Sequence, residues 1–175
     1  MTDRWSSALA EHAHVLSEYL RVARDFPADR WQRMPAPGRW SAAALTLHVA
    51  DAYCYGYEAA SGGPGMRLLA PPLAAWVSRT VILPVMLWLK RFPREAPVPT
   101  EVRPDLTLAH TLTQTELVER LEREAGKAIA TFQLPTATRV MHAYFGSLTP
   151  YQTLRLVTAH TRHHTIGLRD RLGAD

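Results

Sequence analysis

Three histidines, His48, His160 and His164, offer the richest chemistry in this chain. His160 and His164 stand one helical turn apart, so they project about 40° from one another around a helix axis and two imidazoles can grip one ion. Both fall on or beside the apolar stripe of their helix, which turns them inward. An inward imidazole pair needs hydrogen bonds, and protonating it would bury charge. A metal ion meets that demand, and so do backbone or water partners for two ordinary core histidines. The pair alone leaves both open. His48 lies about one turn from Leu45 and Ala52, which points it inward as well, at the edge of a face of small residues; its alternative is an isolated core histidine. Three neutral imidazoles with a fourth position open to water or substrate are the donor set of a catalytic zinc-type site. Three borderline nitrogen donors suit a divalent ion such as zinc or nickel.

The remaining candidates are weaker. His12 and His14 lie two residues apart and cannot share a helix face, and nothing beside His110 completes a site. His163 sits roughly 100° around the axis from His164, facing outward or supporting the site from behind. Asp51, a turn after His48, is placed to orient a ligand, although an exposed helix aspartate is the commoner case. Cys54 points well away from His48 and reads as a small packing residue. Thr161 follows His160, so the glutamate of the zinc-protease motif is missing. Hydrolysis by activated water would lack a general base within the histidine motif.

These side chains must be held by helices. The first is expected over residues 4–24, with Trp5, Leu9, Ala13, Leu16, Leu20 and Ala23 recurring on one face; Phe26-Pro27 ends it. The second opens at Trp40-Ser41, where Ser41 can cap free amides. Its inner face carries Ala42, Leu45, Val49, Ala52 and Gly56, and Ser61-Gly62-Gly63-Pro64-Gly65 stops it. A third starts with the capping box Thr113-Gln114-Thr115-Glu116 and bears Leu117, Leu121, Ala125, Ala128 and Phe132. The last is capped by Thr149, with Pro150 in its first position and Gln152 completing a box; Leu154, Val157, Thr161, Leu168 and Leu172 line it. Between the second and third runs a long connection, residues 66–105, ending in the proline-rich stretch 93–104. Its most apolar part, 68–89, contains Pro71, Pro72, Pro84 and a central Arg79. It reads as a buried connecting segment of one or two short helices, not a membrane span. The fold expected is all-α: one domain over residues 1–175, a four-helix bundle with a long crossover between its second and third helices.

Composition narrows the partners. At 47% hydrophobic and 21% charged residues the chain is globular, and 175 residues bury a core without staples. The formal charge of +4 admits nucleic acid or an anionic membrane surface. The arginines are dispersed, however, with Glu116, Glu119, Glu122 and Glu124 interleaved, and no nucleic-acid motif is present; a solvated surface is the expectation. Cys54 is the sole cysteine, so no intrachain disulfide forms and a reducing compartment is expected. Residues 1–7, with Asp3 and Arg4, lack the apolar core of a signal peptide, and the expected location is the cytoplasm.

Gly38-Arg39-Trp40-Ser41 leading to His48, with the late His160-x-x-His163-His164, resembles the DinB-like superfamily of four-helix metal-binding proteins. The closer likeness is to a branch known as a domain of unknown function. There a stretch similar to His142-Ala143-Tyr144-Phe145-Gly146 precedes Ser147-Leu148-Thr149-Pro150 and the last helix, and the segment Pro97-Val98-Pro99-Thr100-Glu101-Val102-Arg103-Pro104 is similar too. The likeness runs from Trp31 to Leu168. It implies a metal triad on His48, His160 and His164. One departure is that the branch commonly has a Gln soon after the last histidine, whereas Thr165-Ile166-Gly167-Leu168 stand here. Because the superfamily includes transferases and isomerases using low-molecular-weight thiols, the resemblance implies metal-assisted S-transfer to a small-molecule substrate. Two other readings stand beside it: a non-catalytic metal-binding or stress-linked module, with an exposed helix face open to homodimer formation, and a metal-dependent hydrolase.

Overall fold

Ser41 starts the helix around which the others pack. Its Oγ accepts the Ala44 amide at 3.2 Å and opens α2 (Ala42–Ala60). Residues 42–50 are buried on every side, as a helix that is apolar all round must be. Alanines let neighbours close on it, and at Gly56 an added Cβ would stand 3.3 Å from the Phe132 ring. That ring belongs to α6 (Gln114–Phe132), which packs along α2 and opens with the expected capping box of Thr113 and Glu116. Its stripe of Leu117, Leu121, Ala125, Ala128 and Phe132 is buried throughout. The computed structural model describes residues 3–90, 92 and 97–173, and they are mainly helical.

The other long pair is α1 (Asp3–Arg24) and α7 (Pro150–Leu172). Thr149 and Gln152 form the expected box at the head of α7, with Pro150 in place. Its buried Thr153, Thr158, Thr161 and Thr165 each donate their hydroxyl to the carbonyl four residues back, so polar side chains enter the core with their protons already committed. The α1 face differs from expectation. Leu20 and Ala23 are buried, but Trp5, Leu9 and Leu16 are half-buried and Ala13 is exposed; Ala8, His12, Val15 and Tyr19 turn inward instead. The apolar pattern misses this face because two of its members are polar, and each finds a partner. Tyr19 meets Thr46 at 3.0 Å and His12 Nε2 meets the Tyr53 hydroxyl at 2.8 Å. Ala52, expected on the inner face of α2, is only half-buried.

The connection departs most. Residues 72–89 form one continuous helical rod: α3 (Pro72–Val77), a π-helical turn (Ser78–Ile82) and α4 (Leu83–Leu89). Pro84 supplies no amide and crowds the carbonyl of Thr80, and the widened turn absorbs that clash. The rod is not the buried segment expected, since Leu73, Trp76, Val81, Val85 and Trp88 are all exposed. Composition marks apolar side chains but cannot say that only one side of a helix will meet the core. Further on come a 3-10 turn (Thr100–Val102) and the unexpected α5 (Leu106–Thr111), capped by Asp105; residues 93–96 of the proline-rich run lie outside the described residues. A two-stranded antiparallel hairpin was not expected either: β1 (Val140–His142) pairs with β2 (Gly146–Leu148), His142 opposite Gly146. Gly146 takes a positive φ of 64° at the turn, which only glycine adopts freely.

His12 yields a test of the core. The Thr161 hydroxyl donates to Val157, so it accepts from Tyr53 at 2.9 Å. Tyr53 thereby spends its one proton, and His12 Nε2 must be the donor to it. Burial pulls the His12 pKa down to about 4, against about 6.5 unfolded. A depressed histidine contributes its full stability above the unfolded pKa and loses it as pH falls from 6.5 towards 4. His12→Gln keeps a donor for Tyr53 and cannot titrate. Urea melts between about pH 7.5 and about pH 5 should therefore show a shallower loss of stability for the variant, by up to about one proton taken up on unfolding. Equal slopes would contradict the assignment.

Candidate metal centre

Two helices and one loop build the site. His48 stands on the buried half of α2; His160 and His164 stand on adjacent turns of α7. His160 Nε2 lies 3.0 Å from His48 Nε2 and 3.0 Å from His164 Nε2, and all three ligand nitrogens fall within 4.8 Å of one another. The three residues singled out by spacing are thus brought together. From the far side of His48, the Val102 carbonyl accepts Nδ1–H at 2.6 Å. A carbonyl cannot donate, so the proton is on Nδ1 and the Nε2 lone pair faces the other two histidines. A backbone carbonyl behind a ligating imidazole is a common way to fix its tautomer and ring plane.

Proton accounting tests the fit to a metal. With His48 protonated at Nδ1, a neutral His160 can donate Nε2–H to His48 or accept from His164, but one ring nitrogen cannot do both. Neutral imidazoles therefore satisfy only one of the two 3.0 Å contacts. Protonation is opposed: burial first, then the neighbouring histidines, holds His160 and His164 well below the usual histidine range. For His48 burial also lowers the pKa, partly offset by the Val102 bond. A cation accepting three lone pairs resolves the conflict. Nitrogen–metal bonds of about 2.0–2.1 Å set tetrahedral neighbours about 3.3 Å apart, close to the 3.0 Å that separates His160 from each of the other two. His160 Nδ1 is buried without a hydrogen-bond partner among the described residues.

Aromatic rings wall the triad. Trp40, from the Gly-Arg-Trp-Ser motif, packs on His48 with centroids 4.9 Å apart, and Phe92 lies 5.8 Å from His160 and 5.9 Å from His163. His163 is half-buried against His164. Asp51 does not orient His48; it pairs with Arg120 at 2.9 Å. Cys54 is half-buried, its thiol pKa raised mainly by burial, and it meets Tyr57 and Glu58. His14 and His110 are exposed. Arg171, whose charge acts on His164, is held by the carbonyls of Trp40 and Gly167.

His142 is the site neighbour that spacing did not reveal. Its Nδ1 accepts the Tyr144 amide at 3.2 Å, its ring lies 4.9 Å from Phe145, and burial takes its pKa to about 4. A proton on His142 would oppose one on His160. The signal for it was the His142–Gly146 motif itself, because a glycine that needs a positive φ marks a turn.

The sequence matches the DinB superfamily over residues 11–166. No curated protein and no solved structure matches the chain. The match spans most of the chain, which belongs to the DinB superfamily.

Purified without chelator or affinity histidines, the protein should hold close to one zinc- or nickel-like ion per chain. His160→Ala/His164→Ala should lower occupancy by orders of magnitude and His12→Gln should leave it intact; full occupancy in the double variant ends the triad assignment. Ligating imidazoles must be neutral, and the lowered folded-state pKa values favour that form. Their contribution is complete above the unfolded pKa near 6.5 and is lost as pH falls. The loaded protein should therefore release its ion, and its Tm should drop more steeply than that of the metal-free form, between about pH 7 and about pH 5. Parallel Tm curves for the two forms would count against it.

Proposed function

As a reading of this DinB superfamily member, we propose a metal-binding protein that uses His48, His160 and His164 to hold a divalent ion and assists transfer of a low-molecular-weight thiol to an electrophilic small molecule. In this reading the four long helices are the superfamily's four-helix bundle, and residues 66–105 are the crossover between its second and third helices. The observation that carries the proposal is the convergence of three Nε2 atoms whose lone pairs neutral imidazoles cannot mutually satisfy.

The surroundings favour an anionic nucleophile. Among the described residues, the titratable groups that act on His160 and His164 are other histidines and Arg171, all of them neutral or cationic. Three neutral ligands would leave the charge of a divalent ion uncompensated, which would favour an anionic partner beside it. Bound there, the ion would supply Lewis acidity that lowers the pKa of a thiol. The chain's own residues do the positioning: Val102 fixes the His48 tautomer, while Trp40 and Phe92 restrict water. Hydrolysis is the weaker chemistry, because among the described residues the groups acting on the triad include no carboxylate to serve as general base. A metal-binding module without catalysis is the second reading, favoured by the closeness of the Trp40 and Phe92 rings to the ligands.

Thiol binding can be read on the cobalt-substituted protein. Among mycothiol, bacillithiol and glutathione, one should produce a sulfur-to-metal charge-transfer band at low concentration with release of a proton. The same thiol should accelerate conjugation to a chlorinated or epoxide electrophile, and His48→Ala should abolish both effects. A loaded protein whose spectrum no thiol perturbs supports the non-catalytic module instead.

A further inference from the structure

The rod at Pro72–Leu89 is long and apolar enough to cross a membrane, yet only 17% of it is buried in the protein. One side is fixed. Ala75, Leu83 and Met86 are buried, the latter two in a small core with Phe145, Leu148 and Leu156, and Arg79 donates to the Ser147 carbonyl at 3.1 Å. The other side is bare: Leu73 is 73% exposed, Trp76 54%, Val81 56%, Val85 49% and Trp88 79%. A contiguous apolar face of this length marks an interaction surface.

Charge selects the occupant. Residues 59–94 contain Arg67, Arg79, Lys90, Arg91 and Arg94 and no carboxylate. The carboxylates brought to this region come from outside the stretch: Glu11 pairs with Lys90 at 3.1 Å, and Glu101 accepts the Arg67 amide. A second copy docked face to face would set one cationic stretch against another. An anionic bilayer offers acyl chains to the apolar face and phosphates to the exposed Arg67 and Lys90, which flank the rod. Trp76 and Trp88, near the two ends of the rod, are residues suited to the headgroup layer. A span is disfavoured by the fixed inner side and by Arg79, which would have to enter hydrocarbon.

We propose that the bare face of the 72–89 rod docks the protein on anionic lipid, lying in the plane of the interface. This inference is independent of the metal and thiol chemistry. The test uses the full chain with vesicles of phosphatidylcholine alone and of phosphatidylcholine with phosphatidylglycerol, read by co-sedimentation and tryptophan emission. Partition should be at least about tenfold stronger into the anionic vesicles and should weaken as salt rises, since salt screens the attraction between cations and such a surface. Val81→Asp/Val85→Asp should reduce it about tenfold or more, as apolar area is replaced by charge. Both positions are exposed, so an unchanged circular-dichroism melt and metal content establish that the variant is folded. Three results would each overturn the proposal: no partition into anionic vesicles at low salt, equal partition into both compositions, or a dimer in sedimentation velocity that the double variant dissolves while vesicles bind neither form.

Discussion

Three imidazole nitrogens crowded within hydrogen-bond distance, with too few usable protons between them, set the terms for the rest of this structure. Such a cluster is costly unless something positive occupies it or something rigid holds it. The protein supplies rigidity from both helices. On α2 the alanines and Gly56 draw the helix into the centre, where neighbours on all sides prevent His48 from rotating outward. On α7 buried threonines, each tied to its own helix backbone, let the histidine-bearing face press inward without orphaned hydroxyls. The thread from His12 through Tyr53 to Thr161 crosses from α1 to α7 by way of α2, and Thr161 directly follows His160.

The helices were legible in the sequence where their signals are local. Ser41, Thr113 and Thr149 each cap the helix they precede, and the α6 stripe is buried residue for residue. The triad was legible for the same reason, because helical spacing decides which face a side chain takes. What escaped depends on distant partners. The inward turn of α1 rests on His12 and Tyr19, polar residues whose burial makes sense only once Tyr53 and Thr46 are in place. The hairpin escaped because strands of three residues carry no usable periodicity. The exposure of the 72–89 rod could not be read from composition, which is the same for a helix facing a core and one facing outward.

That rod and the metal centre are structurally joined. Leu83 and Met86 share a small core with Phe145 and Leu148 of the hairpin region and with Leu156, one turn before His160. Phe92, packed against the same core, reaches the rings of His160 and His163. The hairpin gives the rod its inner wall and also places His142 where a proton on it would oppose one on His160. A shift of the rod relative to α7 would therefore have to pass through the residues that enclose the triad.

The acceptor behind His48 is a main-chain atom, the carbonyl of Val102. Side-chain scanning across residues 97–104 would therefore never delete it. Substitutions there can displace the loop, but the amino-acid alphabet offers no residue that lacks this oxygen. The orientation of the ligand is thus insulated from single-codon changes in a way that an aspartate or glutamate in the same role would not be. Only backbone chemistry reaches it directly: an ester in place of the amide between Val102 and Arg103 weakens the carbonyl as an acceptor while leaving every side chain in the protein as it was.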